Sequence, residues 1–517
     1  MTGVFTVELN KLFELASVFL GDLNDYIQPS QACINPLFID TKNPLVSEIQ
    51  SDPKRVILAI EDDWNQDVKL PETKPNIIRE TAQQRATISL DDCLACSGCV
   101  TSAETVLITQ QSYADMLEKL QSVPSPYFKK IMTISSASRA SLAAHFNLPI
   151  HVVHCKLVTF FRTLGFDLIF DTGCFENIML LEARQEFLYR YQNQTPTPWN
   201  HTQTESDSDP AIPTALPMLA SSCPGWICYA EKAQPNALPF IDTTKSPQQI
   251  AGTIVKDFLS REFLIESDQV FHVTLMPCFD KKLEASRKDF QRSEDNRDVD
   301  CVLATSELID LFQAQKIEFK DLKEASLTQK EAQMSGISPD GQIVYGSSPF
   351  ASSGGQLEHI FRYAAKNLFN VDICGPLEYS IGRNPDFREV SLSIQGKVVL
   401  HFAIAYGFRN IQSVITKLRR GKCSYHYVEV MACPSGCLNG GGQIKPSSSL
   451  ESSTLVSSVT KRFQELREYD PQKDAFCKYI YEKYFDKPFS QVAQRALHTK
   501  YRRVPKLEQA NPLGIRW

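Results

Sequence analysis

Four cysteines stand where apolar, strand-like runs end. Cys223 closes "PMLASSCPGW", Cys278 closes "HVTLMPCFDKK", and Cys433 and Cys437 stand in "VEVMACPSGC". Proline follows Cys223 and Cys433 and precedes Cys278, which suits turns leaving strands because it fixes φ and removes an amide donor. One such thiol would read as a packing residue, since free cysteine is usually buried. Four thiols from three equivalent positions point instead to a shared metal site. Structural zinc draws its ligands as two close pairs, whereas the pattern here is one, one, then a C-x3-C pair. A four-iron cube needs one thiolate at each iron and takes ligands from different sides. The spacing favours the cube and leaves zinc open. Gly440, Gly441 and Gly442 follow directly; they allow close backbone approach and offer amides to cluster sulfides.

A second set lies near the N-terminus, where "DDCLACSGCV" supplies Cys93, Cys96 and Cys99. A bacterial ferredoxin run continues C-x3-C-P. Ala103 stands at that place, so a fourth thiol must come from elsewhere. Cys33, in the Pro-flanked loop "PSQACINP", is the nearest upstream candidate, and a zinc knuckle is the competing reading. Cys155, Cys174, Cys228, Cys301, Cys374, Cys423 and Cys477 fit neither pattern and read as packing residues. Cys228 follows Cys223 by five in an expected helix, which turns it away from the site. The histidines show no metal-binding spacing.

These thiols need strands to position them. "KKIMTIS" (129–135), "DLIFDTG" (167–173), "VFHVTLMPC" (270–278), "DCVLATS" (300–306) and "YVEVMAC" (427–433) alternate with helix-like segments. Short Val/Ile/Leu-rich strands between helices predict an α/β chain with parallel sheets covered on both faces, and sites in such folds collect beyond the carboxyl ends of the strands. Composition shifts within the 517 residues suggest boundaries. A polar surface insertion is expected at 192–217, a solvated charged segment at 285–300 and a Ser-rich linker at 445–462. The formal net charge of −6 gives no basic surface for nucleic acid. No run of about 18 apolar residues suggests a membrane span. Fifteen cysteines with no basic leader before an apolar core predict a reducing, cytosolic setting, in which the acceptor patterns at Asn193 and Asn200 are chance matches.

"SSCPGW", "MPCFDKKLE", "MACPSGCLNGGG" and "GGQLEHIFRYAAKNLF" together resemble iron-only hydrogenases. More closely, they resemble the hydrogenase-like cytosolic iron–sulfur protein assembly factors, relatives of the nuclear prelamin A recognition factor. The likeness runs from about residue 22 to the C-terminus, and "ALHTKY" is similar to the "LHTHY" of the hydrogenase small-subunit tail. The resemblance implies an iron-only hydrogenase-like fold of two lobes (126–320 and 321–460), with a small ferredoxin-like N-terminal iron–sulfur region (1–125) and a small-subunit-like helical tail (461–517). It implies two 4Fe-4S clusters, one on Cys33, Cys93, Cys96 and Cys99 and one on Cys223, Cys278, Cys433 and Cys437. Hydrogenases read "TSCCPGW", and the first cysteine there relays protons; this chain has Ser222, a far weaker acid. The accessory ferredoxin-like cysteine sets of many hydrogenases are absent too. Lys281, which matches a ligand-holding lysine of hydrogenases, is retained, and its alternative role is an ion pair or a charge facing the cluster.

The implied role is a non-catalytic assembly factor in the cytoplasm, with the nucleus open as a second location. It would bridge early scaffold components to a late targeting complex with WD40-repeat members and reach apoprotein clients indirectly, without nucleic acid or membrane. An iron-only hydrogenase and a nuclear lamin-binding adaptor are the alternatives. The chain ends "NPLGIRW"; the assembly machinery recognises C-terminal aromatic tails, and Trp517 is accordingly the expected partner-binding anchor.

Overall fold

The computed structural model describes residues 111–121, 128–199, 212–293, 296–334, 338, 345–346, 355–382, 384–445, 452–468 and 470–503. Cys33, Cys93, Cys96, Cys99 and Trp517 lie outside them. Eleven strands are described: β1 (Lys129–Ile134), β2 (Leu168–Asp171), β3 (Met218–Ala220), β4 (Val270–Met276), β5 (Cys301–Ala304), β6 (Tyr345–Gly346), β7 (Ser380–Ile381), β8 (Phe387–Ile394), β9 (Lys397–Tyr406), β10 (Tyr427–Met431) and β11 (Arg467–Glu468). One sheet has the order β2-β1-β4-β5 and is parallel throughout. Every residue of β4 and β5 is buried, as expected for strands covered on both faces.

The second sheet, β3-β10-β9-β8-β7, is mixed. β3 and β9 flank β10 in parallel, while β8 and β7 are added antiparallel. The expected parallel pairing therefore forms the core of both sheets, and the antiparallel β8 and β7 are an addition to the second. β8 and β9 form a hairpin turned by Gln395 and Gly396, both at positive φ (51° and 78°), the backbone a two-residue hairpin loop requires. The expected boundary at 320 does not separate the sheets, because β3, at 218–220, pairs with β10. The chain must cross to the second sheet and back between β2 and β4.

Helix α1 (Ser136–Phe146) starts from the Ser135 cap and stops at Asn147, which is left-handed (φ 51°). Helix α2 (Thr172–Gln192), capped by Asp171, is buried along most of its length. Its Phe175, Ile178, Met179, Leu180 and Leu181 pack with the first sheet, and Ala183 and Phe187 with the second. Helix α3 (Pro224–Ala233) follows β3, and α4 (Gln356–Phe369) packs on α2 and the second sheet. No described helix is long and apolar enough to cross a membrane.

Two polar segments are more ordered than their composition suggests. The Ser-rich stretch expected to be a linker contains helix α5 (Ser452–Phe463), which packs on α1. Its Val459 and Phe463, with Leu466 beyond, are buried in the core of the first sheet, so sparse apolar residues at helical spacing outweigh the serines. Val459→Ala should lower stability by about 2 kcal/mol in urea unfolding; a change below about 0.5 kcal/mol would restore the linker reading. The charged segment 285–300 is only partly solvated: among its described residues Lys288, Asp289, Arg292 and Ser293 are exposed. Phe290, Asn296, Asp298 and Val299 are buried, and Arg292 pairs with Asp257 and Asp298. The tail is built into the first lobe, since Cys477, Ile480, Tyr481, Phe485, Ala493 and Leu497 share a core with Ile131 and Phe170.

Candidate metal centre

The three strand ends converge. Cys223 lies three residues past β3 and caps α3, with Pro224 at its first position. Cys433 lies two residues past β10, the neighbour of β3. Cys278 lies two residues past β4, in the other sheet. Cys437 sits on the short 3-10 turn Gly436–Asn439 and packs against the cores of both sheets. Between Cys433 and Cys437, Ser435 and Gly436 are both left-handed (φ 59° and 68°), which curls the loop back on itself. The Ser435 amide donates to Asp386 Oδ1 at 2.8 Å, fixing that curl.

The glycines close the site from below. A Cβ on Gly440 would lie 2.4 Å from the Pro277 carbonyl oxygen, and one on Gly442 would lie 3.0 Å from Cys278 Cα. The Gly442 amide donates to that same carbonyl at 3.0 Å. The close approach expected of the glycines is thus to the backbone bearing Cys278, and it ties the Cys433–Cys437 loop to the opposite sheet. Gln443 adds bonds from its side-chain amide to the carbonyls of Ala137 (3.1 Å) and Cys437 (3.2 Å).

The four sulfurs lie close enough to act on one another. Burial pushes the Cys437 thiol up to about 12, and Cys223 adds to the rise. Burial, then Asp280 and the neighbouring thiols Cys437 and Cys223, hold Cys278 well above the ordinary range; Cys433 is raised by burial, Cys223, Asp280 and Cys437. Cys223 is raised by burial and Asp280 and drawn back by the amides of Ala432 and Trp226; the Ala432 amide is 3.5 Å from its sulfur. The Gly441 amide acts in the same sense on Cys433. Cys223 is buried and Cys278, Cys433 and Cys437 are half-buried; thiols raised in this way hold their protons unless cations replace them, so metal binding here releases protons. Among the described residues, no three His, Cys, Asp or Glu side chains are grouped as they would be around one metal ion. Four soft donors brought in from different sides, with amides facing two of the sulfurs, fit a multi-iron cluster better than a single zinc.

Lys281 has the features of its alternative role, an ion pair and a charge beside the thiols. It is 6% exposed and pairs with Glu284 at 2.5 Å, and its charge lowers the pKa values of Cys223, Cys278 and Cys437. Ser222 Oγ donates to Met179 Sδ at 3.3 Å and accepts from Gln356 Nε2 at 3.0 Å. Cys228 does not simply point away: with Cys223, Ser222, Glu284, Arg287 and Tyr501 it lines a cavity of about 20 Å³, room for roughly one water. Cys155, Cys174, Cys301 and Cys477 are buried as packing residues, whereas Cys374 is exposed. Sequence reasoning passed over Asp386 and Gln443, neither of which belongs to a recognisable motif.

Parallel sheets whose carboxyl ends present cysteines to one centre define a class. The family model "Iron only hydrogenase large subunit, C-terminal domain" matches residues 128–441, a span holding all four of these thiols. Among solved structures, an apo [FeFe]-hydrogenase from Chlamydomonas reinhardtii shares the fold with a TM-score of 0.62 at 24% identity, over 76% of this chain and 99% of that one. Curated relatives narrow the class. The chain is 42% identical to mouse "Cytosolic iron-sulfur assembly component 3" (97% of this chain, 100% of the relative). It is also 42% identical to the Dictyostelium discoideum "Probable cytosolic Fe-S cluster assembly factor narfl" (95% and 97%) and 40% identical to Arabidopsis thaliana "Protein NAR1" (94% and 96%). The chain belongs to this cytosolic iron–sulfur assembly component 3 family, built on the iron-only hydrogenase domain.

Proposed function

We propose that the chain is a non-catalytic factor of cytosolic iron–sulfur protein assembly, carrying two 4Fe-4S clusters. Cys223, Cys278, Cys433 and Cys437 hold one cluster, and Cys33, Cys93, Cys96 and Cys99 hold the other. The observation that carries this reading is the convergence of four thiols from the carboxyl ends of two sheets, in a chain whose near full-length relatives are named as assembly factors. When bound, the cluster supplies iron that cross-links the two sheets through sulfur. The chain's own part is to present the thiols, face amides toward Cys223 and Cys433, and place Lys281 beside them. Ser222, held by Gln356 and Met179, lacks the acidity of a relay thiol, which supports a non-catalytic role. The factor works in the cytoplasm, with a nuclear fraction, and links early scaffold components to a WD40-containing targeting complex, with Trp517 as its anchor.

The retained Lys281 favours one second reading, a hydrogenase with a diiron subsite on Cys437. Iron and sulfide analysis with infrared spectroscopy on anaerobic protein separates the two. About eight irons and eight sulfides per chain, without carbonyl or cyanide bands, are expected. Bands that scale with protein concentration would make it a hydrogenase, and four irons or fewer would refute the two-cluster reading.

A further inference from the structure

A groove of about 400 Å³ lies away from the cysteines, between α2, α4 and the loop after β11. Arg184 is its buried wall. The residue is 4% exposed, its guanidinium lies 4.0 Å from the centre of the Tyr363 ring, and its Nη1 is 3.4 Å from His359 Nε2. Its Nε has no hydrogen-bond partner, and among the described residues no carboxylate reaches ion-pair distance; Asp470 and Glu182 act on it only from farther away. Its neighbour cannot compensate it. Burial and the Arg184 charge hold His359 down at about 3, so the ring stays neutral.

The rim differs. Lys366 is paired with Asp372, and Arg362 donates to the carbonyls of Ile373 and Gly375 and lies 4.0 Å from Glu358. Asp470, the acidic residue of the lining, has Lys473 at 3.6 Å. Arg184 is therefore the cation left uncompensated, and buried charges are normally paired. A guanidinium held over an aromatic ring keeps N–H groups free as a forked donor, the shape that matches an oxyanion. The volume falls in the range of small-molecule sites.

We propose that this groove binds a small-molecule oxyanion, a carboxylate or a phosphate, whose charge rests on Arg184. Asn367 and Gln472, which also line the groove, offer neutral amides to the rest of the ligand. The first residue of the same helix, Gln356, touches Ser222 beside Cys223, so one rigid element joins the groove to the metal centre.

The test is calorimetric titration of the full-length, cluster-loaded chain with inorganic phosphate and, separately, succinate, at constant ionic strength. One saturable site per chain is expected, weakened at least about tenfold in Arg184→Gln. Saturation by phosphate alone or succinate alone assigns the oxyanion. Should Arg184→Gln fail to fold, Lys366→Ala on the exposed rim is expected to weaken binding about twofold. No saturable heat from either anion overturns the proposal, as does unchanged affinity in the folded variant.

Discussion

Gly440→Ala should lose the cluster held by Cys223, Cys278, Cys433 and Cys437, although no ligand is touched. The added Cβ would meet backbone: the Pro277 carbonyl oxygen at 2.4 Å, its carbon at 3.1 Å and the Cys437 carbonyl oxygen at 3.2 Å. Backbone cannot swing aside as a side-chain tip can. Relief must therefore move the Pro277–Cys278 segment away from the Cys437 loop, and that displacement separates ligands that come from different sheets. Overpacking costs about 1–3 kcal/mol by itself, and the folding energy contributed by metal binding goes with the cluster. About four of the expected eight irons should be missing per chain, with a lower urea midpoint. Gly225→Ala is the contrast, because its Cβ would meet the tip of the Asp280 carboxylate at 3.0 Å, which can rotate away. Full iron content and an unchanged midpoint in Gly440→Ala would show that the loop tolerates the shift and that the approach to Pro277 is incidental.

Much of this centre was legible because each thiol carries its context locally: an apolar run, a proline, a cysteine. The path of the chain was not, because β3 leaves the first sheet to pair with β10, and three residues of strand leave little periodicity to read. The hairpin of β8 and β9 was missed although its sequence is strand-like; an antiparallel addition does not announce itself in a pattern of strands alternating with helices. Helix α5 was mistaken for a linker because serine dominates its composition, while its packing rests on Val459, Phe463 and, beyond its end, Leu466. The histidines appeared scattered for a similar reason. His498 stands 316 residues from Glu182 in the chain and 3.1 Å from it in space, and no local spacing encodes that pair.

His498→Gln is expected to be among the most destabilising single changes away from the metal centre. The imidazole, 8% exposed, joins the tail to α2: Nε2 is 3.1 Å from Glu182 Oε2, and Nδ1 is 2.8 Å from Thr243 Oγ1 and 3.3 Å from Glu186 Oε2. Glu186 keeps Arg190 as a second cation. Glu182 also accepts from the Tyr481 hydroxyl and the Phe489 amide, yet among the described residues His498 is its ion-pair partner. Removing the imidazolium leaves that carboxylate buried without a cation at contact, a loss of about 3–5 kcal/mol. Burial opposes the charge on His498, but Glu182 and Glu186 outweigh it and raise the group from 6.5 to about 9. Between those values the folded chain holds a proton that the unfolded chain releases, so the slope of stability against pH is negative there. The contribution is fully present below about pH 6.5 and is lost as the pH rises through about 9, an amount of about 3 kcal/mol. Asp242, raised to about 8 by burial and then by Glu186, tilts stability the same way from about pH 4 upward and does so in the variant as well. The difference between wild type and His498→Gln therefore isolates the histidine. Urea midpoints should stand far apart at pH 6 and draw together near pH 9 to 10. A gap that stays constant across that range would mean that His498 acts by packing alone and that its charge does not fasten the tail.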